Sequence, residues 1–227
     1  HIVDTQGNQL PYISEQDEVY KNDNELRILA LVNAEADYKS QSLQLSSAPM
    51  LLEGQEKGDY TIYLKPEITL SNVSLNVTHQ DLDKRKVFGD LRFRKAMSVA
   101  INRQEINEVA LFGQGTPKQY TGFSPMPDFI DKKWESYMIQ YDPGMANSLL
   151  DQLGMKDTNG DGARELPNGK KLVINMQFAT QGIDPQIVEM IGQHWAEVGI
   201  KTTVKEVTPD EYRSQQSSNT LDVGMWR

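Results

Sequence analysis

The apolar positions of this chain fall into a clear rhythm from Asp90 onward. Phe93, Ala96, Met97, Ala100 and Ile101 sit at i, i+3, i+4, i+7 and i+8, the spacing of one α-helical face. A second helical stretch carries Ile106, Val109 and Ala110 and stops at Gly113. Asp142-Pro143 opens a third, an N-cap followed by proline at the first helical position. Ala146, Leu149, Leu150 and Leu153 supply its buried stripe, and Gly154 closes it. Leu172, Ile174, Met176 and Phe178 then alternate as a strand. Asp184-Pro185 caps a helix bearing Ile187, Val188, Ile191, Trp195 and Val198, closed by Gly199. Lys201 to Val207 reads as a strand, Thr208-Pro209-Asp210-Glu211 as a capping box, and Leu221 to Trp226 as the next strand. This β-α-β-α-β order predicts a largely parallel sheet with covering helices. Ligands on such sheets bind beyond the carboxyl ends of the strands. The segment after Phe178 and the one around Trp226 are therefore the candidate rim.

Residues 1 to about 78 carry a weaker pattern. Asp23 or Asn24 caps a helix with apolar positions Leu26, Leu29 and Ala30, which Asn33 interrupts. Tyr60 to Leu64 and Val73 to Val77 alternate as half-buried strands. The stretch has few apolar residues for its length, so its core is expected to close against polypeptide outside the chain. The opening at His1-Ile2-Val3-Asp4 and the strand-like close, with only Arg227 after Trp226, are read as the ends of an internal piece of a longer protein. Gly113 to Pro127, rich in Gly, Pro, Thr and Ser, is a long loop.

Composition narrows the partners. The 227 residues allow one large domain or a small piece plus a medium one. No window approaches the roughly 18 consecutive apolar residues of a membrane span. The formal charge of -9 sets nucleic acid and anionic lipid aside. Lys84-Arg85-Lys86, the densest basic run, is too short to reverse that. The absence of cysteine removes disulfide frameworks, CxxC redox centres and thiolate metal sites.

Catalytic patterns are missing. The sequence holds no GxSxG, HExxH, GxxxxGK[ST] or GxGxxG; Gly113-Gln114-Gly115 lacks the third glycine and follows a helix. His1, His79 and His194 are far apart, and His194, beside Trp195, is read as a partly exposed helix histidine. Asp157-Thr158-Asn159-Gly160-Asp161-Gly162 matches positions 1, 3, 5 and 6 of a calcium loop. Its twelfth position is Asn168 instead of a bidentate Glu, and a turn, Pro167-Asn168-Gly169-Lys170, replaces the second helix. The loop is read as an Asx/Gly turn; Asp157, Asn159 and Asp161 are the ligands a cation would use. No metal and no cofactor is expected. The sequons Asn72-Val73-Ser74 and Asn76-Val77-Thr78 are read as strand residues. Tyr120, Phe123, Phe178 and Trp226 stand in loops or at strand ends, where a ligand could reach them.

Asp90-Leu91-Arg92-Phe93-Arg94-Lys95-Ala96-Met97-Ser98-Val99-Ala100-Ile101-Asn102-Arg103-Gln104-Glu105-Ile106 closely resembles a helix of the family 5 solute-binding proteins, of the form D-x-R-x-R-x-A-x-x-x-A-I-[DN]-R-x-x-I. These proteins serve ABC importers for oligopeptides, dipeptides and nickel, and in some branches oligosaccharides. Further matches follow in the family's order: Gly113 to Pro117, Tyr141-Asp142-Pro143 with Ala146, Leu149 and Leu150, Asp157 to Arg164, Val198 to Lys201, and Leu221 to Trp226. The likeness covers about residues 72 to 227, and Val3 to Ile13 resembles the close of the N-terminal lobe in a large-bodied branch.

The resemblance implies an α/β protein with a periplasmic-binding-protein type II-like lobe and a mixed, largely parallel sheet. Residues 1–72 would end the N-terminal lobe, 73–80 would cross the hinge, and 81–227 would form a truncated C-terminal solute-binding lobe. It further implies a clamshell, not an enzyme, that captures peptides or related small solutes and hands them to an ABC permease. Such a protein is a monomer outside the cytoplasm, in the periplasm or lipid-anchored on the outer face of the membrane. Trp226 is the leading ligand contact, followed by Phe178, Tyr120 and Phe123. Arg92, Arg94 and Arg103 are structural. The alternatives are an oligosaccharide binder on the same scaffold and a metal-dependent α/β enzyme using the Asp157 to Asp161 loop. A piece of one jaw should bind weakly or not at all.

Overall fold

A computed structural model describes residues 2–21, 23–41, 43–64, 72–119, 127–179 and 183–225. The chain divides into two compact units, His1–Tyr63 and Leu64–Arg227.

Among its described residues the first unit holds three short α-helices, α1 (Asn24–Val32), α2 (Ala48–Glu53) and α3 (Gln55–Gly58). The Asp23 carboxylate caps α1 by accepting from the Glu25 and Leu26 amides. Ile28, Leu31 and Leu51 form a small buried cluster, flanked by Val32, Ala36, Leu43, Tyr60 and Ile62. Leu26 and Leu29, expected on the inner face of α1, are instead 54% and 44% exposed. The helix is apolar on several sides, so its period cannot choose a face; contact with Leu51 chooses Ile28 and Leu31. Gly58 helps set that contact, because a Cβ there would overlap the Leu31 carbonyl and the Tyr60 ring.

Tyr60 to Leu64 forms no strand. Tyr60 and Ile62 do lean on the cluster, Tyr60 donating from its hydroxyl to the Leu51 carbonyl at 2.6 Å. The alternation reflects burial of one face, and among the described residues it finds no ladder partner.

The second unit contains β1 (Ser74–Leu75), α4 (Leu82–Gly89), α5 (Leu91–Val99), α6 (Arg103–Ala110), α7 (Pro143–Gln152), β2 (Val173–Ala179), α8 (Pro185–Glu197), β3 (Lys201–Val207), α9 (Pro209–Ser217) and β4 (Val223–Gly224). The caps read from sequence are in place. Asp142, Asp184 and Thr208 accept from the amides of Met145, Gln186 and Glu211. The predicted face of α5 is the buried one, with Phe93, Ala96, Met97, Ala100 and Ile101 all at 7% exposure or less. On α6, Ile106 and Ala110 are buried but Val109 is half exposed.

β2 and β3 pair in parallel over their whole length, from Val173↔Lys201 to Ala179↔Val207, with α8 as the crossover. Ile174, Met176 and Phe178 face the main core with Ile187, Val188, Ile191 and Trp195. Trp195 also donates its indole N–H to the Met97 carbonyl at 3.0 Å, joining α8 to α5.

The last strand departs from expectation. β4 pairs antiparallel with β1, Ser74↔Gly224 and Leu75↔Val223, and is not laddered onto β2. The Asp222 carboxylate explains the difference. It accepts the Asn175 amide of β2 at 2.7 Å, the bond a neighbouring strand's carbonyl would otherwise take. The unit is therefore α/β with a mixed strand arrangement: among the described residues, one parallel and one antiparallel pair of strands.

Candidate functional site

The described strand ends come together on one side chain. Ala179 closes β2 and Val207 closes β3; with Leu221 and Tyr212 of α9 they form a compact buried cluster. The Thr208 cap fixes the start of α9, and four residues later Tyr212 turns inward, 2% exposed. Its hydroxyl accepts the Met225 amide at 2.8 Å, holding the backbone just after β4. Burial raises the Tyr212 pKa, partly offset by that bond. The ends of β2 and β3 and the backbone just after β4 thus meet at Tyr212. Such ends are where ligands bind in open α/β sheets.

Of the residues chosen from sequence, Phe178 is 3% exposed and packs in the main core, the setting of a scaffold residue. Its inward position on β2 follows from the same alternation as Ile174 and Met176. Tyr120, Phe123 and Trp226 lie outside the described residues.

Two residues that pattern reading did not single out organise the region. Tyr212 carried a usable signal, its place one turn into a helix with a capping box. Asp222 carried none beyond being an acid inside an apolar run. Asp222 is 2% exposed, and its carboxylate receives Lys84 Nζ at 2.8 and 2.7 Å, the Asn175 amide at 2.7 Å and Asn175 Nδ2 at 2.9 Å. His79 Nε2 lies 3.1 Å from Asp222 Oδ1. The Asp81 amide donates to His79 Nδ1 at 2.9 Å, so the hydrogen of a neutral ring sits on Nε2, facing Asp222. An ionised carboxylate this buried is tolerable only with such a set of donors.

The Asp157 to Asp161 loop is closed on itself. Asp157 accepts the amides of Gly160 and Gly162, and Asn159 Oδ1 accepts that of Asp161. Asp161 accepts the Ala163 amide and Lys171 Nζ; the Ala163 bond, with Lys171 beside it, lowers its pKa. Glu165, ninth in the loop and overlooked in the sequence, is 4% exposed and lies with Asp157 and Asp161 in one acidic group. It accepts from the Thr158 amide and hydroxyl and from Asn159 Nδ2, so Asn159 turns its nitrogen towards it. Next to it, Arg164 bonds the Val198 and Met155 carbonyls, Asp151 and Asn147. The loop fastens α7 to the end of α8.

His194 is 4% exposed, not partly exposed as expected, because α8 is buried on most sides; Nε2 meets Glu105 at 3.0 Å. Two of the three family arginines hold structure, and Arg94 is exposed. Arg92 bonds Asp90 and the Gln152 carbonyl, and Arg103 bonds the Ser98 and Ile139 carbonyls. Burial lowers Arg103 to about 10. Among the described residues no helix is long and apolar enough to cross a membrane.

This architecture is that of a type II periplasmic-binding-protein lobe. It superposes on the solved oligopeptide-binding protein OppA with a TM-score of 0.69 at 29% identity, over 91% of this chain and 34% of that one. A family model described as bacterial extracellular solute-binding proteins, family 5 Middle, matches residues 7–227. The chain belongs to that family. It is 29% identical over 191 residues to the glutathione-binding protein GsiB of Pectobacterium atrosepticum, covering 80% of this chain and 34% of the relative. It is 26% identical over 208 residues to the periplasmic alpha-galactoside-binding protein of Rhizobium meliloti, covering 84% and 29%. The chain spans about a third of the length of these relatives. They are named as binding proteins, not as enzymes.

Proposed function

We propose that the protein containing this chain is the substrate-binding component of an ABC-type importer, capturing peptides or related small solutes outside the cytoplasm. The observation that carries this reading is the meeting of three strand ends at Tyr212 in a chain of the solute-binding family. Residues 1–72 close one lobe, 73–80 cross the hinge and 81–227 belong to the lobe that carries the strand ends. Trp226, next in sequence after the Met225 amide that Tyr212 holds, is the leading ligand contact, followed by Tyr120 and Phe123. Ligand contacts made only in the closed form shift the population towards closure. The protein acts as a monomer that binds without transforming its ligand and delivers it to a membrane permease.

Peptide capture is favoured by the glutathione- and oligopeptide-binding relatives. The alpha-galactoside-binding relative supports a second reading, in which aromatic stacking on sugar rings replaces recognition of peptide ends. Isothermal titration of the full open reading frame with glutathione, short peptides and raffinose separates the two. Saturable binding of a peptide supports the first reading and saturable binding of raffinose the second. Hydrolysis of either probe would overturn both.

A further inference from the structure

The buried carboxylate of Asp222 touches no ligand in the reading above, yet it collects donors from three directions. We propose that Asp222 is a positioning residue for ligand binding, one that fixes the register of β4 where the chain runs on to Trp226. This rests on the reading of Trp226 as a ligand contact.

β4 cannot fix its own register. Its ladder with β1 is two residue pairs long. Leu221, Val223 and Met225 are all buried apolar residues, Leu221 in the cluster at Tyr212 and the other two in the main core, so a slip of two positions would still place an apolar side chain on the same face. Within the run Leu221 to Met225, Asp222 is the polar side chain that distinguishes one register from the next; Asn219, bonded to Asn76 and Thr78, adds to it from outside the run. Asp222 meets Lys84 of α4, Asn175 of β2 and His79 after β1. Its own carbonyl accepts the Asn76 amide at 3.0 Å. Asn76 Nδ2 in turn donates to the Leu221 carbonyl at 2.8 Å and to Asn219 at 2.9 Å. Thr203 secures Asn175 from β3 at 2.8 Å. After a two-residue slip, Thr220 or Gly224 would stand where Asp222 stands. Lys84 and the Asn175 amide would then lose their acceptor in a partly buried site, a costly outcome for a polar group. A single polar residue among interchangeable apolar ones is a known way to specify register at some cost in stability.

The test uses the full open reading frame with Asp222→Asn, Asp222→Leu, Lys84→Met/Asp222→Leu and Trp226→Ala, measured by thermal melts and by titration with glutathione and raffinose. The double variant removes both charges, and its melting temperature is expected to return towards wild type while its affinity stays at least about tenfold down. A double variant that binds as wild type overturns the proposal. Trp226→Ala should also weaken binding; if it does not, the ligand-contact reading falls and the proposal falls with it. Weakened Trp226→Ala beside a wild-type-like double variant overturns the proposal alone. Hydrogen exchange supplies a readout without ligand. In Asp222→Asn the Asn76 and Met225 amides should exchange at least about tenfold faster, while β2–β3 amides stay as in wild type. Unchanged exchange at Asn76 and Met225 also overturns it.

Discussion

In residues 64–227 many of the large apolar side chains meet one another, although Leu82 and Phe129 stand exposed. Phe88, Phe93, Leu150, Met155 and Trp195 are all at 1% exposure or less and belong to one continuous cluster. In residues 1–63 the buried apolar cluster is Ile28, Leu31 and Leu51. Ile13, Val19, Tyr20 and Tyr38 stand 72% or more exposed. The difference teaches where cooperative stability resides. Burial of apolar area is the main favourable term in folding, so the second unit can hold a unique structure from its own residues. The first has little to offset the entropy of ordering its chain.

Trp195→Ala should have the largest effect. It empties a site at the centre of the second unit and leaves the Met97 carbonyl without its donor, a loss of about 3–5 kcal/mol. Denaturation followed by hydrogen exchange should show it in α8, β2 and β3, with α1 to α3 unchanged. Leu31→Ala should cost about 2 kcal/mol, the low end for such a truncation, because its cluster is thin. A cost matching Trp195→Ala would break the comparison. Asp184→Ala removes the α8 cap and should cost about 1 kcal/mol, read as a fall in melting temperature. Leu29→Ala, on the exposed side of α1, should stay within about 0.5 kcal/mol. A larger value would mean that surface is covered. Millimolar calcium should move the melting temperature by less than about 1 °C, because the Asp157 to Glu165 loop already supplies donors to its own carboxylates.

How legible the chain was depended on how much choice its patterns left. The faces of α5 and α7 and the inward side of β2 were readable because each has apolar residues on one side, and the bounds of α8 because a polar cap and a glycine mark its ends. Leu26 and Leu29 were misplaced because α1 is apolar nearly all round. Val109 was misplaced because α6 packs along a narrower stripe than its pattern suggests. Phe178 shows the limit for sites: alternation correctly put it on the face of Ile174 and Met176, which is the core face. Tyr212 could have been found from its capping box. Asp222 could not, since its partners His79, Lys84 and Asn175 lie far away in sequence.

The sequence by itself determined most of the helices and strands in the second unit, α4 excepted, and which family the chain resembles. Periodicity and caps act over a few residues and need no distant partner. The tertiary structure alone decided that β4 pairs with β1, that strand ends meet at Tyr212, and that Asp222 is a buried anion with donors from three directions. Those outcomes depend on which backbone and side-chain groups become neighbours once the chain has closed. Strand pairing and buried-charge compensation are set by such long-range contacts, which local pattern does not encode.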